Sequence, residues 1–213
     1  MSRKIEIKSL SIPSVSRVLL CGPSNTGKTY LLRKLLKENI AFENKIDKIL
    51  YFHSATKLDL VNAECFEGLD DIEKILESRK NDLSKVAVVI DDLQAEALNS
   101  LAVFKLWTIY SHHYNIGVVF LLLQNFYGKS KYGTDINRNS SYYIFTRHLR
   151  LAPMVKLLSR QLFMNDKLYD TYKTYILKSN ETYPYLCVNL DAKDDRLMCF
   201  NNILKTEIPR IFI

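Results

Sequence analysis

The chain has 213 residues, 47% of them hydrophobic and 25% charged, a balance that suits one globular domain and excludes a disordered tail, which could not bury enough apolar surface to offset chain entropy. The formal charge of +7 is concentrated: residues 1–127 carry 16 basic and 15 acidic side chains, 128–178 carry 10 and 3, and 179–213 carry 4 and 5. The longest apolar run, residues 118–123, falls far short of the ~20 residues a membrane-spanning helix needs. Met1-Ser2-Arg3-Lys4 leads into no apolar stretch of the secretory kind, so the expectation is a soluble intracellular domain with no membrane partner.

Taken in chain order, short apolar runs alternate with longer helical patterns, the signature of βαβ units around a parallel sheet. Residues 18–21 read as a buried strand. A Gly-containing loop follows, then a helix over 28–39 whose Leu31, Leu32, Leu35 and Leu36 make one apolar face. Residues 48–53 read as a second strand and 69–78 as a short helix with Ile72, Ile75 and Leu76 turned inward. Residues 86–90 are apolar throughout, as expected of a central strand covered on both faces. A long helical pattern then runs through Ala97, Leu101, Phe104 and Thr108, before another apolar strand over 117–123. A polar loop is expected at 124–141, a strand at 142–146, helices near 152–163 and 166–178, and a last strand near 185–190. The expected organisation is an N-terminal extension (1–15), a single three-layer α/β domain (16–205) and a C-terminal tail (206–213). The four cysteines are widely scattered, with no C-x-x-C pair, and read as reduced, buried thiols.

The most specific motif is Gly22-Pro23-Ser24-Asn25-Thr26-Gly27-Lys28-Thr29, a match to G-x-x-x-x-G-K-[ST] between a strand and a helix. The spacing wraps a loop around a phosphate with its backbone N–H groups turned inward, and the following helix adds its dipole. Lys28 is placed to reach the β- and γ-phosphates, and the Thr29 hydroxyl to ligate Mg²⁺. The motif therefore predicts a nucleoside triphosphate site. The strand 86–90 ends in Asp91-Asp92 and is expected to lie beside the phosphate loop, with Asp91 on the metal and Asp92 orienting the attacking water. That pair favours hydrolysis over binding alone. Gln124, directly after the strand 117–123, is a candidate to sense the γ-phosphate and hold the lytic water. His112 and His113 lack further metal-ligand partners and read as core or capping histidines. Asn44-Lys45-Ile46-Asp47 matches a guanine-reading motif, yet it comes only 16 residues after Lys28, before the second strand. It reads as a plain helix-to-strand loop.

Beyond these generic motifs, Phe66-Glu67-Gly68-Leu69, Asp91-Asp92-Leu93, His112-His113-Tyr114-Asn115-Ile116, Gln124-Asn125-Phe126, Leu158-Ser159-Arg160-Gln161 and the closing Tyr185-Leu186…Leu190-Asp191 occur in order over residues 16–204. Together they resemble the FtsK–HerA class of P-loop ATPases, and within it the genome-packaging ATPases of Polintons and adintoviruses, which are similar to the poxvirus packaging enzyme. The resemblance implies a RecA-like, mostly parallel sheet and an ATP- and Mg²⁺-dependent motor. It further implies a homo-oligomeric ring that moves double-stranded DNA into a preformed capsid built of capsid proteins, in the virion or at the host-cell site of virus assembly, nuclear or cytoplasmic. It makes Gln124 a sensor and asks for an arginine acting on the neighbouring subunit's nucleotide. Thr134 stands where the family arginine is expected, which leaves Arg138, Arg147 and Arg160 as the candidates. Asn25-Thr26 also replaces the family's usual Gly-Ser in the phosphate loop. A DNA helicase or plasmid-transfer ATPase of the same class is the nearest alternative, and a P-loop kinase acting on a small molecule is a more distant one.

Overall fold

The computed structural model describes residues 12–39, 41–54, 59–60, 62–125, 130–193, 198–201 and 210–211. Phe126, Gly128, Lys129 and Leu204, with most of the N-terminal extension and of the C-terminal tail, lie outside them. Among the described residues nine strands form one sheet: β1 (Ser16–Cys21), β2 (Lys48–His53), β3 (Ala63–Glu67), β4 (Val86–Asp91), β5 (Ile116–Leu123), β6 (Tyr142–Thr146), β7 (Tyr185–Asn189), β8 (Cys199–Asn201) and β9 (Arg210–Ile211). Their order is β3-β2-β4-β5-β1-β6-β7-β8-β9. The first six neighbours in that order run parallel, and β7, β8 and β9 are added antiparallel.

The helices are α1 (Lys28–Glu38), α2 (Ile72–Ser78), α3 (Gln94–Ala97), α4 (Leu101–Lys105), α5 (Ser111–His113), α6 (Gly133–Arg138), α7 (Ala152–Phe163) and α8 (Lys167–Thr171). Alternating strand residues feed two separate cores, which is why the central strands are apolar throughout. Val18, Leu20, Tyr51, Val89, Val118 and Phe120 pack under α1, against Leu31, Leu32, Leu35 and Leu36. Leu19, Cys21, Phe52, Val88, Ile90, Val119 and Leu121 face the other way, against α2, the α4 segment, α7 and α8. The three-layer α/β architecture with a mostly parallel sheet is as the sequence predicts, and the strands at 48–53 and 142–146 have the predicted bounds.

Four departures have physical causes. The continuous helix expected through Ala97 and Thr108 is broken: α3 ends at Ala97, and Ser100 restarts the chain as α4 by accepting a hydrogen bond from Val103 N at 3.3 Å, a Ser N-cap. The run then loosens into a π-helical stretch, Leu106–Tyr110. The stretch expected as a polar loop at 124–141 contains α6, because Gly133 and Ile136 bury against the core. β3 was not expected as a strand, since its Ala-Glu-Cys-Phe-Glu pattern is only half buried, as suits a sheet edge. Lastly, β4 does not adjoin β1: β5 lies between them.

The decoy loop is structural. The Asn39 side chain bonds both N and O of Ile46, and the Asp47 carboxylate accepts from Lys85 N. His112 and His113 are exposed at the end of α5 rather than in the core, with His112 Nε2 3.4 Å from Arg17 Nη1. Cys21, Cys187 and Cys199 are buried free thiols, and Cys65 is half-buried.

Phe120 sits at the centre of β5, fully buried, with its ring edge-on to Phe42 at 6.1 Å. Phe120→Ala should lower unfolding free energy by about 3–5 kcal/mol, read as a shift of the urea midpoint at unchanged slope.

Candidate active site

β1 ends at Cys21, and the loop Gly22–Thr29 turns directly into α1. The turn depends on local backbone freedom: Gly27 has φ 89° and Asn25 φ 62°, both in the left-handed region that glycine and asparagine tolerate best. Gly22 is required for a different reason. A Cβ there would fall 1.9 Å from Thr146 Oγ1 and 2.5 Å from Thr26 Oγ1. Those hydroxyls hold the loop: Thr146, at the end of β6, donates to Thr26 Oγ1 at 2.7 Å, with Cys21 O a second acceptor at 3.2 Å, and Thr26 donates to Pro23 O at 2.8 Å. Lys28 is buried, and its ammonium donates to the Gly22 and Pro23 carbonyls at 2.6 and 3.0 Å. Burial pulls its pKa down, and the nearby Asp91 and Asp92 partly restore it.

Asp91 closes the other side. It ends β4, is buried, and its Oδ2 accepts from Thr29 Oγ1 at 3.2 Å and from the Tyr51 hydroxyl at 2.7 Å. Burial pushes its carboxyl pKa up, the Tyr51 hydrogen bond opposes that, and Asp92 adds to the rise. Asp92 itself is exposed, with φ 56°, an uncommon backbone state for a residue that is not glycine and one that collects at functional sites. Thr29 and Asp91 thus present a hydroxyl and a carboxylate to one point. That hard oxygen set fits Mg²⁺, which takes one or two carboxylates and completes its shell with phosphate oxygens and water. Among the described residues no group of three or more His, Cys, Asp or Glu forms a cage that could hold a metal by itself.

A cavity of about 450 Å³ opens over this arrangement, lined by Ser24, Asn25, Gly27, Lys28, Thr29, Tyr30, Asp92 and Tyr183. Gln124 follows Leu123, which pairs with Cys21, and Gly22 N donates to Leu123 O at 2.8 Å. It therefore stands just past the carboxyl end of the central strand that lies between β1, which leads into the phosphate loop, and β4, which ends in Asp91. The three arginines lie elsewhere. Arg138 is exposed at the end of α6, lining a second cavity of about 330 Å³ with Thr134, Asn137, Leu158 and Gln161. Arg160 is engaged by Asp166 at 2.8 Å, an exposed ion pair tying α7 to the start of α8. Arg147 donates to the Ser179 carbonyl. None of the three lines the cavity of its own subunit.

Sequence reasoning passed over several residues that the fold brings in. Tyr51 was hidden in an apolar strand. His53 pairs with Asp91 across β2 and β4, is buried, and has no hydrogen-bond partner for Nδ1 among the described residues. Gln94 accepts from Gln124 N at 2.6 Å and from Asn125 N at 3.3 Å, anchoring the segment after β5. Thr146 and Tyr183 approach from β6 and from the segment before β7. Thr146 ends its strand on the side where open α/β sheets bind ligands, which could have drawn notice to it; Tyr183, ahead of an antiparallel strand, offers no such signal.

No protein-family model matches the chain, and no curated protein matches it either. Solved structures do. The genome packaging NTPase B204 from Sulfolobus turreted icosahedral virus 2, solved with ATP-γS, superposes at TM-score 0.55 and 15% identity over 93% of this chain and 97% of its own. The cytoplasmic domain of the Thermomonospora curvata type VII secretion ATPase EccC superposes at TM-score 0.56 and 12% identity, over 83% of this chain and 24% of that one. At these identities the likeness establishes the fold: the chain has the architecture of P-loop NTPases.

Two outcomes test the site. Gly22→Ala should lower the melting temperature and weaken ATP binding, and adding Thr146→Ala should recover part of both losses by removing the atom at 1.9 Å; purely additive losses in the double variant would contradict the clash. Asp91→Asn removes a buried charge whose ionised form is disfavoured. It should raise the melting temperature, read by thermal unfolding, while Mg²⁺-dependent nucleotide binding, read by calorimetry, falls.

Proposed function

We propose that the chain is an ATP-hydrolysing motor that assembles as a ring and moves double-stranded viral DNA into a preformed capsid, working in the virion or at the host-cell site of assembly. The observation that carries the chemistry is the meeting of Thr29 and Asp91 at 3.2 Å beside Lys28, across an intervening strand that Gln124 follows. In this reading phosphate oxygens replace the two loop carbonyls as acceptors for Lys28. Thr29 and Asp91 hold Mg²⁺, which neutralises charge on the β- and γ-oxygens when bound. Asp92, exposed in the same cavity, orients the attacking water, and Gln124 reports the γ-phosphate to the segment held by Gln94.

The ring finds support in the distribution of charge. Residues 62–100, which supply β3, α2, β4 and α3 toward one end of the sheet, carry 10 acidic and 4 basic side chains. Residues 130–178, which supply α6, β6, α7 and α8, carry 9 basic and 3 acidic. Segments of opposite sign on one domain suit head-to-tail contacts, which generate rings when the rotation closes. An arginine acting across subunits would then come from Arg138, Arg147 or Arg160, none of which lines the cavity of its own subunit. DNA and capsid proteins enter this proposal through the resemblance to packaging ATPases and the full-length superposition on a viral packaging NTPase.

The test is ATP turnover with and without double-stranded DNA, measured alongside the mass of the assembly. DNA should stimulate turnover, activity should follow the ring, and Lys28→Ala should abolish it. Gln124→Ala should leave ATP affinity within a few-fold yet slow turnover by about 10²-fold, the scale of losing a positioning group. Turnover by a dilute monomer at the full rate, indifferent to DNA, would contradict the motor.

A further inference from the structure

We propose that Tyr30 and Tyr183 form the base-stacking end of the nucleotide site, a pair that takes the flat face of a nucleobase and leaves its edge largely unread. The proposal rests on the reading of the cavity as a nucleoside triphosphate site and extends it from the phosphates to the base. The cavity has two chemically distinct kinds of lining. One is polar, built from the loop, Lys28, Thr29 and Asp92; the other is the two tyrosines. Both rings are large apolar surfaces left open, Tyr30 at 49% exposure and Tyr183 at 41%, where most side chains of that size find cover.

The pair is held in place from several directions. Tyr30 directly follows Thr29 in the first turn of α1, so its position is set by the same turn that aims the phosphate-binding groups. The Lys34 ammonium, one helical turn on, lies 5.0 Å from the centre of its ring, a cation–π contact that steadies it. Tyr183 lies before Pro184 and β7, and its ring rests on the phosphate loop itself: a Cβ at Gly27 would come within 2.5 Å of its Cγ and Cδ1. The two ring centres are 5.1 Å apart at 46°, a tilted wall and floor rather than a closed stack. A triphosphate anchored at Lys28 and Thr29 carries its base on a short tether, and these rings are the aromatic surface that the cavity offers it.

The chemistry sets the specificity. Every base has a π-face, so stacking on an aromatic ring is tolerant of base identity. The side chains beside the tyrosines that could read a base edge, Ser24 and Asn25, belong to the phosphate loop. The site should therefore bind ATP and GTP within about ten-fold of each other, with pyrimidine nucleotides weaker for their smaller stacking area.

The experiment measures, by calorimetry with Mg²⁺ present, the Kd of ATP and of inorganic tripolyphosphate for the full chain and for Tyr183→Ala, Tyr183→Phe and Tyr30→Ala. Tripolyphosphate keeps the charges and lacks the base. Tyr183→Ala should weaken ATP by about ten-fold or more, the scale of losing one aromatic platform, and leave tripolyphosphate unchanged. Tyr183→Phe keeps the ring and should keep ATP affinity. Tyr30→Ala should produce a smaller loss confined to ATP. Equal weakening of both ligands would overturn the assignment and make Tyr183 a support of the phosphate loop through Gly27, and no change in either would overturn it outright. If the parent chain bound neither ligand, the nucleotide reading itself would fail, an outcome distinct from a change in the ratio between the two.

Discussion

The geometry of the site depends on one buried carboxylate. Asp91 ends a strand that is apolar along its whole length, and its Oδ2 takes hydrogen bonds from Thr29 on α1 and Tyr51 on β2. An ionised group in that position is costly unless it is satisfied, and the two donors come from elements far apart in sequence. The bonds therefore do more than satisfy a charge. They tie the start of α1 to β4 across β5, and so fix the distance between the phosphate loop and the acidic strand end. A hydrophobic residue at 91 would pack well and leave Thr29 with nothing to meet.

The strand order explains why this works. With β5 inserted between β1 and β4, the end of the intervening strand stands between the phosphate loop and the carboxylate, which is where Gln124 falls. Were β1 and β4 neighbours, Gln124 would sit outside the pair.

Much of this was legible in the sequence, and the limits follow from what is local. The phosphate loop is local, because its glycines, lysine and threonine act within one turn. The central strands are legible because burial on both faces demands unbroken apolar runs, as in β4 and β5. β3 escaped because an edge strand is half exposed and carries Glu64 and Glu67. α6 escaped because two buried residues, Gly133 and Ile136, are too few to make a periodic signal. Tyr51, Thr146 and Tyr183 escaped for a deeper reason. Each matters through a partner 40, 120 and 156 positions away, Asp91, Thr26 and Gly27 respectively, and no pattern along the chain announces such a meeting. The arginines mark a further limit: Arg160 sits in a family-like motif, yet its guanidinium is held by Asp166.

The site concentrates features that the folded state would otherwise avoid. Asn25 and Asp92 hold positive φ, Lys28 and Asp91 are charged groups drawn out of water, His53 buries a ring nitrogen, and two tyrosines stay open to solvent. Each is unfavourable alone, and each becomes useful when a highly charged ligand with a flat, apolar end arrives. In the proposed nucleotide site the loop amides and Lys28 would gain phosphate oxygens, Asp91 a cation, and the tyrosines a base. The two apolar cores on either face of the sheet supply the stability that lets such a site persist. The same accounting says where evolution could alter the protein cheaply. Changes at the rim, Tyr30 and Tyr183, would retune the ligand's base without disturbing the sheet, whereas changes at Gly22, Thr146 or Tyr51 would act through the frame and alter stability and binding together.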